Sequence, residues 1–230
     1  MMCGRRWVNL LVVLSAITWC NQARSQISIP LRNLTFDNLQ EAVDVANPGD
    51  SIVLSEGTYT YDCDVWVMKD SLIIQGVGKV ELLCTSKEHN VMWISGERII
   101  VRNIHARHSL PEEYAHCTGN VFGVDVCRNC IIENCDINGC GRIGVYIFAS
   151  RGLVLRNNKI HNNSLCAVDA DGILLNKASD EHTETVRFEK NRIWDNGPGM
   201  KERREVRKLQ RDMRRYGKQK KSYIRKIGDE

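Results

Sequence analysis

Proline is scarce, at 4 in 230 residues, and the 17 glycines keep no every-third-residue period. A Pro-rich linker and a collagen-like rod are both excluded by that. No apolar run beyond residue 20 approaches the length of a membrane-spanning helix. Acidic residues are missing from residues 1–25. What is present suits one globular domain: 43% hydrophobic, 26% charged and 7% aromatic. The net charge of +4 conceals a division. Residues 26–199 carry 16 Lys and Arg against 23 Asp and Glu, a net −7, while residues 200–230 carry 13 against 5, a net +8.

The acid-free opening, residues 1–25, reads as a signal peptide. Arg5 and Arg6 precede an uncharged stretch, residues 7–19, of the length of a secretory apolar core. Ala23-Arg24-Ser25 then puts small residues where a signal peptidase inspects the chain. A buried N-terminal helix fits the length and flanks less well, and Trp19 is too bulky for lipid attachment at Cys20. The expected mature chain starts near Gln26 and is secreted or held at the cell surface.

Export changes how the cysteines are read. Cys63, Cys84, Cys117, Cys127, Cys130, Cys135, Cys140 and Cys166 remain, an even set that favours disulfides in an oxidising compartment. Cys127, Cys130, Cys135 and Cys140 also raise zinc, but zinc knuckles hold their ligand pairs in turns. These four lie in strand-like sequence. Cys63 and Cys84, 21 residues apart, are the expected bridge, and Cys117 with Cys166 is a further candidate. Connectivity is not deducible from sequence.

A repeat organises residues 26–199. The segments 130–137, 153–160 and 186–193 superpose, each with an apolar residue five before a terminal Ile and Cys or Asn two before it. A looser copy covers 99–104, so the terminal residues Ile104, Ile137, Ile160 and Ile193 step by 33, 23 and 33. A unit of 23 residues is short for most helical repeats, and apolar positions alternating with period two mean strand. Shorter strands lead each unit at 92–94, 124–126, 145–147 and 173–175. Stacked on one another, such units make a parallel β-helix of about five coils. A β-sandwich would need hairpin signals between strands. Asn158 and Asn191 are expected one above the other in a tight turn, their amides serving buried backbone groups.

The stretch 37–54, from Asp37-Asn38-Leu39-Gln40 to Gly49-Asp50-Ser51-Ile52-Val53-Leu54, is followed by Gly57-Thr58-Tyr59. It resembles the opening of right-handed parallel β-helix proteins of the pectate-lyase-like superfamily. The resemblance covers about residues 33–198 and implies a short amphipathic helix capping the first coil. Leu39, Ala42, Val43 and Ala46 share one helical face, as such a cap requires. The fold hosts many activities, so the likeness says little about function.

If the middle residue of each leading strand points outward, stacking yields a column of Trp66, Trp93, Asp125, Tyr146 and Leu174. Flat apolar rings beside a carboxylate suit a polysaccharide, and Trp66, Trp93 and Tyr146 are the expected substrate-binding residues. A one-residue register slip would turn the same side chains into the core. Insertions at 106–120 and 162–170 are expected to leave one corner and wall a groove. The first carries His108, Glu112, Glu113, Tyr114 and His116; the second leads into Asp169-Ala170-Asp171-Gly172.

The resemblance further implies a lyase chemistry, in which acidic residues hold Ca²⁺ on a substrate carboxylate and Arg or Lys removes a proton. Here Asp125, Asp169 and Asp171 are the expected calcium ligands, and Arg142 or Lys177 the expected base. The acidic body would repel a polyuronate without a bridging cation. The glycosidases of this fold pair two carboxylates, but Asp195-Asn196 has no second acid and Gly197-Pro198-Gly199 no His, so acid–base hydrolysis lacks its machinery. In residues 200–230, Val206, Leu209, Met213 and Tyr216 recur at three and four, predicting a basic helical tail. A basic run alone is unspecific for nucleic acid. The expected protein is an all-β, secreted polysaccharide binder, with a Ca²⁺-dependent lyase as its sharper form. A non-catalytic adhesive β-helix, or the front of a longer one, is the rival. Asn33-Leu34-Thr35 and Asn162-Asn163-Ser164 are glycosylation sequons.

Overall fold

The computed structural model describes residues 26–29, 36–108, 117–139, 142–175 and 185–197. The signal segment, the basic tail, Cys140, Lys177, the Asn33 sequon and residues 109–116 lie outside the described residues. Strand β1 (Gln26–Ile29) leads to helix α1 (Phe36–Val45). The chain then winds in triplets of strands. The first coil is β2 (Ser51–Leu54), β3 (Gly57–Tyr61) and β4 (Val65–Val67); the second is β5 (Ile73–Gly76), β6 (Val80–Cys84) and β7 (Met92–Ile94). The third is β8 (Ile100–Arg102), β9 (His105–His108) and β10 (Phe122–Asp125); the fourth is β11 (Ile131–Glu133), β12 (Asp136–Asn138) and β13 (Ile143–Phe148). The fifth is β14 (Leu153–Arg156), β15 (Lys159–His161) and β16 (Cys166–Ala170). After β17 (Ile173–Leu175), β18 (Val186–Glu189) and β19 (Arg192–Trp194) start a sixth.

Strands in equivalent positions stack into three sheets. Sheet A runs β1-β2-β5-β8-β11-β14-β18, sheet B runs β3-β6-β9-β12-β15-β19, and sheet C runs β4-β7-β10-β13-β16-β17. Every strand pair is parallel except β16 with β17. This is the all-β parallel helix expected from the period-two repeat. Alternation along each strand drives it. In sheet A, Ile52, Ile74, Val101, Ile132, Leu155 and Phe188 stack in register inside, all buried. Each rung therefore buries aliphatic surface against the rungs before and after it, worth about 25 cal/mol per Å² removed from water.

The sequence alignment needs one correction: Ala106, not Ile104, stacks under Ile137. The corner after sheet A explains the slip, because Asn103, Asn134, Asn157 and Lys190 take left-handed φ of 54–59° there. Ile104 thus shares its corner place with Cys135, Asn158 and Asn191. The asparagine stack exists. The Asn158 amide accepts from Cys135 N–H at 2.9 Å and donates to the Ile132 carbonyl at 2.8 Å. Asn191 does the same one coil on, to Asn158 N–H and Leu155 O. A second stack, unforeseen, stands at the next corner, where Asn196 accepts from Asn163 N–H and donates to Ile160 O.

Helix α1 lies on the front of the coil stack with Leu39, Ala42, Val43 and Ala46 buried. Its Gln40 accepts from Trp66 N–H at 2.8 Å and donates to Trp66 O at 3.2 Å, completing the edge of sheet C. Among the described residues the cysteines are free thiols. The expected Cys63–Cys84 bridge is not made: the local step is 23 residues, so Cys84 stands over Tyr61 rather than Cys63. Burial pushes the thiols of Cys84, Cys135 and Cys166 up to about 12, so they pack as small apolar side chains.

Candidate functional site on the outer face of sheet C

Val65 and Val67, Met92 and Ile94, Phe122 and Val124, and Val145 and Ile147 face the core. The intervening residues therefore point outward, which settles the register of the tryptophans. Trp66, Trp93, Gly123, Tyr146 and Asp169 occupy one column across five successive coils. The rings of Trp66 and Trp93 are 5.7 Å apart and tilted by 43°. Trp93 lies down over Gly123, where an added Cβ would come within 2.2 Å of its ring. Trp66 is 44% exposed, and Phe148, beside Tyr146, 52%.

Two members of the expected column are elsewhere. Asp125 sits two residues further along the same outward face, opposite Phe148, because Phe122 and Val124 take the inward places and the chain turns at Val126, φ 52°. Gly123 fills the place expected of Asp125. Leu174 belongs to no coil. Asp171 and Gly172 have φ of 50° and 86°, the paired left-handed geometry of a tight hairpin, and Asp169 caps the bend by accepting from Gly172 N–H at 2.9 Å. β17 accordingly folds back antiparallel on β16, with Leu174 opposite Asp169. Much of the presumed loop 162–170 is β16 itself, leaving only residues 162–165 at the corner.

The three aspartates do not fit one calcium ion. Asp125 and Asp171 are separated by the rung that carries Phe148. Both oxygens of Asp171 are engaged, by Ala149 N–H and the Thr185 hydroxyl, and Asp169 serves its own turn. Among the described residues no group of three His, Cys, Asp or Glu side chains converges as metal ligands would.

The corner between sheets B and C carries a pair that sequence reading missed. His89 Nδ1 lies 2.6 Å from Asp64 Oδ2, and Asp64 Oδ1 accepts from Asn90 N–H and Nδ2–H at 2.7 and 2.6 Å. His108 Nε2 holds the His89 carbonyl at 2.8 Å. Asn120 N–H reaches the Asn90 side chain, and Gly119 packs so closely that a Cβ would meet the His89 carbonyl at 2.0 Å. Asp64 is 11% exposed and His89 47%. Arg142 follows on the same corner, its N–H donating to Gly119 O at 2.8 Å. The 25-residue spacing of Asp64 and His89 is one coil, but neither lies in a repeated segment, so only the coil register could have paired them.

A polar network crosses the outer face of sheet B. Glu81 accepts from Arg107 and Thr58 and faces His105 Nδ1 at 3.3 Å. Asp136 accepts from Asn138 at 2.8 Å and lies 2.9 Å from His161 Nε2, and His161 stacks on Trp194 at 4.2 Å. Burial opposes ionisation of Asp136, but the His161 and Asn138 hydrogen bonds win and hold its carboxyl down at about 2. Burial lowers the His105 imidazole below its ordinary value, against the opposing pull of the Asp136 and Glu81 carboxylates.

A family model described as a right-handed β-helix region matches residues 30–203. No curated protein matches the sequence. Among solved structures, an alginate lyase from Paenibacillus sp. str. FPU-7 is 20% identical with a TM-score of 0.48; the match covers 76% of this chain and 59% of the lyase. A mutant pectin methylesterase in complex with a hexasaccharide is 10% identical, TM-score 0.41, over 72% of this chain and 65% of that one. A second pectin methylesterase complex is 11% identical, TM-score 0.34, over 74% and 70%. This chain thus spans about three fifths of the length of the alginate lyase. Likenesses this distant carry nothing about activity, which must be argued from the site.

Proposed function

Because the chain belongs to the right-handed β-helix family, a fold that stacks identical positions into straight outward columns, we propose that it binds a polysaccharide along the outer face of sheet C. The supporting observation is the aromatic column: Trp66 against Trp93, Trp93 laid flat on Gly123, and Tyr146 in the following coil. Rungs repeat at about 4.8 Å, so the rings form a strip along the helix axis onto which the apolar faces of successive sugars can lie. Trp66 is exposed and Trp93 and Tyr146 are half-buried, and aromatic rings left partly in solvent in a row are costly to solvate and mark a contact surface. An adhesive role through protein contacts would be favoured by an aliphatic face. Met68, Ile173 and Leu174 supply aliphatic surface only at the margins, and the centre is aromatic. The binding residues are Trp66, Trp93 and Tyr146, and the setting is extracellular. Calcium enters only as a condition of the test, since Asp125, Asp169 and Asp171 give it no common site.

Affinity electrophoresis against neutral and uronate glycans, with calcium and with chelator, tests this reading. Trp93→Ala and Tyr146→Ala should each weaken retention at least tenfold, equivalent to about 1.4 kcal/mol. Gly123→Ala, which removes no contact but lifts the Trp93 ring, should weaken it as well. Retention unchanged in all three variants would remove the proposal.

A further inference from the structure

This inference is independent of glycan binding and concerns the corner between sheets C and A. We propose that Cys127 and Cys130, free thiols in the structure, are joined by a disulfide when the chain folds in an oxidising setting, fixing the corner between β10 and β11. Both are buried, and both reach the same short step of the preceding corner. Cys127 Sγ lies 3.3 Å from Ile94 O and Cys130 Sγ 3.4 Å from Gly96 O. The backbone of the pair is held from both sides. Arg128 N–H donates to Gly96 O at 3.0 Å and Asn129 N–H to Arg151 O at 2.9 Å, while Cys127 N–H donates to the Ser150 hydroxyl at 3.0 Å. Left-handed φ of 52° at Val126 and 53° at Asn129 bends the chain so that positions three apart face one interior. Core packing elsewhere fills this place with aliphatic side chains. Cys130 precedes Ile131, which pairs with Ile100 and Val154, so it takes the place of the buried Ile99 and Leu153. Among the described corners between sheets C and A, only this one carries a thiol at both places.

The two thiols also act on each other. The hydrogen bond between them pushes the Cys127 thiol well above its ordinary value and holds that of Cys130 below it, so Cys130 is the first to become a thiolate. At Cys84, Cys135 and Cys166 burial is the leading influence instead. The oxidant is a small disulfide of the glutathione class, met while the corner is still open to solvent. The Cys130 thiolate attacks one of its sulfurs, and the S–S bond breaks with its pair on the departing small thiolate. That thiolate takes the Cys127 proton. Cys127 then attacks Cys130 Sγ, expelling the second small thiolate, which is protonated by solvent. Two protons and two electrons thus pass from the cysteines to the small disulfide, released as two thiols. Once closed, the bond lies among Ile94, Ile99, Val124 and Leu153, out of reach of external thiols. Gly96 O loses the Cys130 donor but keeps the one from Arg128.

The test uses full-length protein, as purified and after refolding from urea, in mixtures of reduced and oxidised glutathione. Free thiols are blocked with N-ethylmaleimide in denaturant, and tryptic peptides are mapped by mass and fragmentation. Trypsin cuts after Arg128, between the two cysteines, so a Cys127–Cys130 bond leaves two peptides joined, about 2 Da lighter than their sum. The joined pair should persist in about tenfold excess of reduced glutathione. It should vanish in Cys127→Ser and in Cys130→Val, which match the Ser150 hydroxyl and the aliphatic places of Ile99 and Leu153. The ring is short, so the bond should shift the unfolding equilibrium by only about tenfold between oxidised and reduced parent protein, and that difference should shrink in both variants. Cys127 and Cys130 both blocked in every mixture, either one joined to a different cysteine, or a redox dependence of unfolding equal in parent and variants would each overturn the inference.

Discussion

At the scale of single residues, ion pairs line the outer faces of both sheet A and sheet B, and Asp136 on sheet B is the carboxyl held furthest down. Asp136 is held at about 2 in the folded protein, against 3.8 for a free side chain. A carboxyl whose folded value is depressed contributes stability that is complete above its unfolded value and is lost as pH falls toward the folded one. For Asp136 that window is pH 4 to 2, and the depression corresponds to about 2 kcal/mol. Urea midpoints followed from pH 5 to 2 should therefore fall more steeply in the parent protein than in Asp136→Asn, by about that amount. Parallel curves would mean that the His161 and Asn138 bonds to Asp136 do not differ between folded and unfolded chains.

At the scale of the element, the corner asparagines carry more than the strands they join. Asn158 is buried and satisfies one N–H and one carbonyl that belong to the preceding coil. Asn158→Ala strands both, each at about 1–3 kcal/mol, so a loss of roughly 2–6 kcal/mol in urea unfolding is expected. Asn191→Ala, one coil on, should behave alike; a loss near zero in both would show that water replaces the amide. The stack at Asn158 and Asn191 was legible because their segments align on the strand period itself. The stack at Asn163 and Asn196 was hidden behind a glycosylation sequon and a truncated glycosidase motif. The hairpin was misread for a related reason. Asp171-Gly172 is a strong two-residue turn signal, but with Asp169 two residues before it the segment suggested a metal loop. Period two also leaves a shift of two residues open for Val124-Asp125-Val126, and only the neighbouring coils show that Gly123, not Asp125, stands opposite Trp93 and Tyr146. Cys63 and Cys84 show the same limit, since an error of two residues in coil length changes the partner. The outward placement of Trp66, Trp93 and Tyr146 was legible because their flanking residues are unambiguously apolar. The Asp64–His89 pair has no such frame: both residues sit in connections whose length varies from coil to coil.

At the scale of the whole molecule, a stacked coil touches only the coils beside it, so stability is close to a sum of rung-on-rung terms and the ends matter most. The front end is where sheet C would otherwise offer bare backbone, an invitation to pairing with another chain. Two residues of α1 answer this in different ways. Leu39 is fully buried and anchors the helix, while Gln40 imitates a neighbouring strand by bonding both backbone groups of Trp66. The two roles separate experimentally. Leu39→Ala should cost about 2–5 kcal/mol, the range for a leucine cavity, because the helix loses its grip on the first coil. Gln40→Ala should cost much less in unfolding, but should uncover the edge at Trp66 and favour self-association that rises with concentration in light scattering. The same exposure should loosen the first ring of the aromatic strip, so Gln40→Ala is expected to weaken glycan retention at Trp66 while sparing the Trp93–Gly123 contact. A monodisperse Gln40→Ala protein with unaltered retention would show that the edge is protected by burial alone, and that front end and binding face are energetically independent.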